Sequence, residues 1–342
     1  MSAEERSARS ANIFDVARLA GVSHQTVSRV LNDMPNVRPA TRARVEQAIA
    51  QLRYSPSPAA RALVTRRTRT IGLITPGSTD YGPTSIVNHF NAAARAARYS
   101  VDTVASLDPD PNGVRSVVES LLRQRVDAIV LIVADIAVLE VVRALDIGVP
   151  LVAVAASARR APHLVSIDQY RGARSAVRHL VDLGHTRILH LAGPSSSPDA
   201  AERERGWRDE LSAHRLPVVE PLHGDWSPGS GYELASRLEI EPGSSIFVSN
   251  DHMAIGLLSA LRERGLSVPE DVSVVGFDDL PESAYLLPAL TTVRQDFAAL
   301  GRLITQKVLV AVEEPDGLTE DTPLPTELIV RGSTRAPGSA AN

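Results

Sequence analysis

The chain has 342 residues, 44% of them hydrophobic, a formal net charge of −4 and no cysteine. That length predicts two or three folded units with a sizeable core, and the cysteine count excludes disulfides, thiolate nucleophiles and Cys-ligated metals. No apolar run approaches the roughly 18 residues that span a bilayer, and the polar start MSAEERSARSANIF lacks the apolar core of a signal peptide, so a soluble cytoplasmic protein is expected.

Charge divides along the chain. Residues 1–70 hold twelve Arg against five acidic residues, whereas the remainder is acidic. A basic head on an acidic body predicts a polyanion-binding module joined to something with another task. Lys307 is the sole Lys, a usage read as codon bias before chemistry.

After a tail over 1–11 expected to be disordered, NIFDVARLAG predicts a short helix. Asn12 caps it, Ile13, Val16, Ala17 and Ala20 form its buried stripe, and Gly21 ends it. GVSHQTVSRVLN predicts a second helix with Ser23 as N-cap and Val27, Val30 and Leu31 on one face. The other faces carry His24, Gln25, Thr26, Ser28, Arg29 and Asn32, which are uncharged donors and acceptors plus one Arg and no acid. A solvated surface helix more usually mixes Glu with Lys; this set suits base edges and phosphates. Two short helices joined by a Gly-Val-Ser turn match a helix-turn-helix, whose second helix lies in the major groove. RPATRARVEQAIAQLRY adds a third helix, with Pro39 in its first turn and Val45, Ala48, Ile49 and Leu52 on one side.

SPSPAARALV follows. Ser57 and Pro58 can open a helix of about two turns, too short to be stable alone. Residues 55–69 also fit a plain linker whose Arg61, Arg66, Arg67 and Arg69 are a solvated charge run.

From Thr70 onward TIGLIT, DAIVLIV, PLVAVA, RILHLAG, SSIFVSN and VSVVGFDD read as buried strands. They alternate with helical stretches such as IVNHFNAAARAARY, VRSVVESLLRQR, GARSAVRHLVDLG and HMAIGLLSALRERG. This pattern predicts βαβ units covered on both faces, and its length predicts two doubly wound parallel sheets.

In open α/β sheets ligands bind beyond the carboxyl ends of the strands. Asn250 and Asp251 follow one strand, Asp278 and Asp279 another, and Ser195 and Arg203 lie beyond a third. Gln295 and Asp296 follow LTTVR, a stretch suited to crossing between lobes, and Tyr81 and Trp226 offer apolar faces for a sugar ring. Asn, Asp, Arg and Gln converging on one cleft suit a hydroxyl-rich ligand. Duller readings stand beside these: Asp251 as a helix cap, Asp278 or Asp279 as a partner of loop amides, Trp226 packed on its own loop, and Arg203 as an ordinary helix-surface residue.

DVARLAGVSHQTVSRVLN with NVRPATRARVEQAIAQLRYSPS resembles the DNA-binding head of the lactose/galactose repressor (LacI/GalR) family. HLVDLGHTRILHLAGP, GDWSPGSGYE, SNDHMAIG and VPEDVSVVGFDDLPESAYLLPALTTVRQDFAALG resemble its effector-binding core, so the likeness runs from about residue 12 to 335. It implies an all-α helix-turn-helix head over 12–54 and a hinge helix and linker over 55–68. A two-lobed periplasmic-binding-protein-like α/β core follows, its first lobe spanning 69–166 and 295–324, its second 167–294 and 325–335. The tail 336–342 is expected to be disordered. One departure is Arg38, where the family commonly has a capping Ser; contact with a DNA phosphate is its alternative role.

The resemblance places Gln25 and Arg29 at base edges, with His24 adding sequence preference, and Arg38 and Arg61 at phosphates. Leu63 becomes a wedge in the minor groove. Arg203, Asn250 and Asp278 become clamps on ligand hydroxyls, with Gln295 and Phe297 completing the site. Trp226 becomes the stacking aromatic, a feature closer to the lactose branch than to the purine or ribose branches. On the other lobe Tyr81, Pro83 and Ile86 fall in a first loop, and Asp135 follows a strand.

The expectation is a homodimeric repressor of sugar-utilisation genes that reads a near-palindromic operator in double-stranded DNA. A small sugar between the lobes, such as a galactoside, would control it, with no cofactor, no metal and no catalysis. A dimer rather than a tetramer is expected because the tail TRAPGSAAN holds no heptad. A nucleotide-dependent enzyme would need GxGxxG or GxxxxGK[ST] after a strand, and GLITPGSTDYG has the wrong spacing. A transport-type sugar receptor would need a secretion signal and no DNA-binding head.

Overall fold

The computed structural model describes residues 11–338 except 32–33, 55–66, 106–110, 144, 146, 157–162, 242–243, 315–316, 318–319 and 321. Asn32, Arg61 and Leu63 therefore lie outside the described residues. Internal contacts divide the chain into two units, one ending at Thr68 and one starting at Arg69.

The first unit is three helices: α1 (Ile13–Ala20), α2 (His24–Leu31) and α3 (Pro39–Leu52). A reciprocal capping box starts α1: Asn12 Oδ1 accepts from the Phe14 and Asp15 N–H groups, while Asp15 Oδ2 accepts from Asn12 N–H at 3.0 Å. Gly21 ends it at φ 64°, a left-handed conformation that costs glycine little. Ser23 Oγ accepts the Thr26 N–H at 3.2 Å, as an N-cap should. Val16, Ala17, Ala20, Val27, Val30, Val45 and Ala48 close the small core, with Ile13, Leu31, Ile49 and Leu52 around it.

The second unit contains two sheets. The first runs β2-β1-β3-β4-β5 and is wholly parallel: β1 (Thr70–Thr75), β2 (Ser100–Ala105), β3 (Ala128–Ile132), β4 (Leu151–Val154) and β5 (Leu164–Val165). Helices α4 (Tyr81–Ala96), α5 (Pro111–Arg123) and α6 (Ile136–Arg143) connect the strands. β2 escapes the apolar-run reading because it is an edge strand, with Ser100, Thr103 and Ala105 exposed.

The second sheet runs β11-β10-β9-β8-β6-β7. Its strands are β6 (Ile188–Ala192), β7 (Leu222–His223), β8 (Ser244–Val248), β9 (Val272–Asp278), β10 (Thr291–Gln295) and β11 (Thr326–Ile329). All neighbours are parallel except the antiparallel pair β10–β11. Around it lie α7 (Gln169–Asp182), α8 (Pro198–Ala213), α9 (Pro228–Ala235) and α10 (Asp251–Glu263). The chain then returns: α11 (Phe297–Glu313) packs Phe297, Leu300, Ile304 and Val308 into the first lobe's core beside Phe90.

Three segments cross between the lobes. Ile167 and Leu324 bridge in parallel, with Asp168 N–H donating to Leu324 O at 2.8 Å and Leu324 N–H to Ser166 O at 2.9 Å. The third crossing is the junction from Gln295 to Phe297. A cleft flanked by strand ends and hinged on three crossings is a frame for closure around a ligand.

Candidate functional site

On the head, α2 buries Val27 and Val30 and leaves Ser23, His24, Gln25 and Arg29 exposed, with Thr26 and Ser28 half-buried. The His24 ring lies 5.2 Å from that of Phe14 on α1. Arg38 precedes α3, is exposed, and makes no side-chain cap bond. Every described polar residue expected at DNA thus occupies the outer face of α2 or the start of α3.

In the second unit a cavity of about 290 Å3 opens between the lobes. Tyr81, Ile86, Asp135, Arg203, Trp226, Asn250, Asp278, Gln295 and Phe297 all line it, as does Pro83. They arrive from seven separate segments of both lobes. Ser195 and Asp279 are not in the lining.

Arg203 is 4% exposed, so the surface-residue reading of its helix position fails. It sits on α8 with its guanidinium 3.9 Å above the Phe277 ring. Nε donates to Gln169 Oε1 at 2.9 Å, Nη1 to Ser249 O, and Nη2 to Asp278 Oδ1 at 3.4 Å. Gln169 Nε2 donates to Gln295 Oε1 at 2.8 Å, and Gln295 Nε2 donates to Asp278 Oδ1 at 2.7 Å. Arg203, Gln169, Gln295 and Asp278 therefore form a closed ring of hydrogen bonds across one wall. Side chains held in this way present fixed donors and acceptors to a ligand at little ordering cost.

Asp278 ends β9 at φ 111°, and burial pushes its carboxyl up to about 7 despite Arg203 beside it. A left-handed non-glycine residue costs energy, and such outliers cluster at ligand sites. Burial likewise raises the Tyr81 hydroxyl, whose ring meets Phe297 edge-on at 5.7 Å.

The neighbouring candidates divide: Asp251 and Asp279 are scaffolding outside the lining, while Asn250 and Trp226 belong to the cleft wall as well as to their own segments. Asn250, not Asp251, caps α10: its Oδ1 accepts the Met253 N–H at 2.9 Å and its Nδ2 donates to Trp226 O at 3.0 Å. Asp251 is fully buried and accepts from Thr292 Oγ1 at 2.6 Å, Ser283 Oγ at 2.7 Å and Leu280 N–H at 2.9 Å. Burial pushes it up to about 6. Asp279 accepts from Arg294 Nε and Arg331 Nη2, both at 2.6 Å. Trp226 is half-buried at φ 74°, its ring over Gly193, where a Cβ would meet ring carbons at 2.2 Å. The ring is 5.5 Å from the Arg203 guanidinium, which makes it part of the cleft wall as well as of its loop.

Among the polar lining residues that escape sequence reasoning are Gln169, Ser197, Asp199 and Asp80. Gln169 and Ser197 carry a signal in principle, since each stands at the start of a helix that follows a strand. Asp199 in PDAAERERGW looks like an ordinary first-turn acid; only the fold turns it inward, where its Oδ1 accepts the Ala156 N–H of the other lobe at 3.2 Å.

Residues 12–57 match the bacterial regulatory proteins, lacI family, and residues 177–334 match a periplasmic binding protein-like domain. The lactose operon repressor of Escherichia coli (strain K12) is 34% identical over 333 residues, covering 96% of this chain and 91% of its own length. Catabolite control protein A of Priestia megaterium is 33% identical, over 86% of this chain and 91% of its own. Among solved structures, the lac repressor dimer bound to operator and the anti-inducer ONPF has a TM-score of 0.84 at 33% identity. That match covers 96% of this chain and 100% of the other. The transcriptional regulator CelR–cellobiose complex has a TM-score of 0.67 at 29% identity, over 94% of this chain and 99% of that one. Head, core and relatives agree: the chain belongs to the lacI family of bacterial regulatory proteins and is a DNA-binding transcriptional regulator, not an enzyme.

Proposed function

We propose that this regulator is a cytoplasmic, homodimeric repressor of sugar-utilisation genes whose operator affinity is set by a small sugar bound between its lobes. Ser23, His24, Gln25, Thr26, Ser28, Arg29 and Asn32 read the operator half-site, Arg38 and Arg61 hold phosphates, and Leu63 wedges the minor groove. In the cleft, Arg203, Asp278, Asn250 and Gln295 hold hydroxyls, Trp226, Tyr81, Ile86 and Phe297 pack on the ring, and Asp135 closes the far side.

One observation carries the cleft reading: residues from seven segments, named for their chemistry, line a single cavity whose polar wall is already tied into a ring. Carboxylate, amide and guanidinium groups donate and accept in pairs, as vicinal hydroxyls do. Because both lobes line the cavity, a ligand that prefers one closure angle shifts the equilibrium between lobe arrangements, and only that differential affinity can act on the DNA end. The test is a thermal-shift screen of mono- and disaccharides on the full chain, followed by operator binding with each hit. A sugar that raises the melting temperature and changes operator affinity supports the proposal. Stabilising sugars that leave operator affinity unmoved refute the coupling.

A further inference from the structure

The cleft carries a charge imbalance that hydroxyl binding does not explain. Asp80, Asp135, Asp199 and Asp278 line the cavity, and Arg203 is the sole basic side chain among the described lining residues. The charge of Arg203 is answered by Asp278, three of its donors are engaged, and Phe277 covers one of its faces. Helix N-termini that meet the cleft would ordinarily attract an anion. Four of these are filled from within: Ser197 caps α8, Asn250 caps α10, Asp296 caps α11, and Asp135 Oδ1 accepts the Ala137 N–H at 2.8 Å; α4 has no side-chain cap bond, and its N-cap residue is itself an acid, Asp80.

Asp199 is the group least matched. Among the described residues it makes no ion pair, and its one hydrogen bond is from the Ala156 N–H of the opposite lobe. Burial raises its carboxyl above the usual range, as expected for a carboxylate short of a counter-charge.

We infer that the cleft sorts ligands by charge: it takes neutral or cationic polyhydroxy compounds, with a hydroxyl or ammonium donor seated at Asp199, and rejects phosphorylated sugars and sugar acids. The inference rests on the sugar-cleft reading and adds the ligand class to it. An anion in the cavity faces carboxylates with, among the described lining residues, no basic group beyond the already engaged Arg203 to answer them, in a site that sheds water on closing. At an effective dielectric of about 20, two like charges about 6 Å apart repel enough to lower affinity about a hundredfold.

The experiment is calorimetry on the full chain with galactose and glucose, each beside its 2-amino, 6-phospho and uronic acid derivatives. Asp199→Asn is measured in parallel; it keeps an acceptor for Ala156 N–H, and its melting curve checks the fold. The expected result is binding of a neutral or amino sugar with its acidic counterparts about a hundredfold weaker. In Asp199→Asn the penalty on acids shrinks about tenfold and the amino sugar loses any advantage over its parent. An acidic derivative that binds as well as its parent, or a gap unmoved by Asp199→Asn, overturns the inference and leaves the sugar reading standing. Failure of every probe to bind, with operator affinity intact, overturns the sugar reading and this inference together.

Discussion

Replacing Asp278 by Asn removes one charge and little else. The amide oxygen still accepts from Gln295 Nε2, which lies 2.7 Å from Oδ1, and from Arg203 Nη2 at 3.4 Å. Burial holds the wild-type carboxyl at about 7; Arg203 opposes the rise, while Asp251 and Asp199 add to it. The folded protein therefore binds this proton more tightly than the unfolded chain, whose ordinary value is 3.8. Stability from this group is fully present below the unfolded value and is lost as pH rises toward about 7. At about 1.4 kcal/mol for each tenfold difference in proton affinity, the ceiling at pH 8 is about 4 kcal/mol. Relaxation of the site reduces the expected gain in Asp278→Asn to about 1–2 kcal/mol, a rise in melting temperature of roughly 2–8 °C for a unit of this size. The gain shrinks as pH falls toward 4, because the wild type then neutralises itself. Sugar affinity moves the opposite way: a lost charge-assisted acceptor in a closed cleft costs about 1–3 kcal/mol, roughly 5- to 150-fold. Scanning calorimetry at pH 8 and pH 5, beside sugar titrations, measures both. A variant that melts below wild type at pH 8 while keeping its sugar affinity would refute the reasoning, since Asp278 would then be a structural partner only.

Gln25→Ala should weaken operator binding by about 1–3 kcal/mol and relax sequence preference, whereas Arg38→Ala should weaken all DNA alike and flatten the salt dependence; salt-resolved binding to operator and random duplexes separates them. Leu63→Ala should reduce operator bending and affinity without touching sugar affinity, read by gel-shift bend analysis and calorimetry. Gly193→Ala should push the Trp226 ring off its seat, since the new Cβ would meet it at 2.2 Å, and weaken the sugar at least tenfold. Unchanged tryptophan fluorescence in that variant would place Trp226 elsewhere.

Legibility followed burial and spacing. The head was readable to the residue: Asn12 and Ser23 cap, Gly21 turns left-handed, and Val16, Val27, Val30 and Val45 close the core, because short helices advertise caps and stripes. β1, β3 and β9 were readable as apolar runs because both of their faces are covered. β2 was not, since SVDTVA lies at a sheet edge and half of it faces water. In the cleft, residues that follow strands were nameable by chemistry and position. Their division of labour was not. Asn250 and Asp251 are neighbours of similar type, yet one caps a helix in the cleft wall and the other anchors the β9–β10 connection. Gln169 carries only the weak signal of a helix start after a strand, and Asp199 meets the cavity because the other lobe's Ala156 lies opposite it, a proximity that no local pattern encodes.

The central claim is that cleft and operator are coupled. The direct measurement is operator affinity of the full chain by fluorescence anisotropy, with and without a saturating sugar drawn from the thermal-shift screen, in wild type and in Asp278→Asn. The account predicts that the sugar changes wild-type operator affinity at least about fivefold. It predicts that Asp278→Asn binds operator as wild type does in the absence of sugar, and that the sugar dose needed for the change rises in proportion to its weaker sugar binding. Operator affinity that stays constant in wild type while the sugar is demonstrably bound would contradict it.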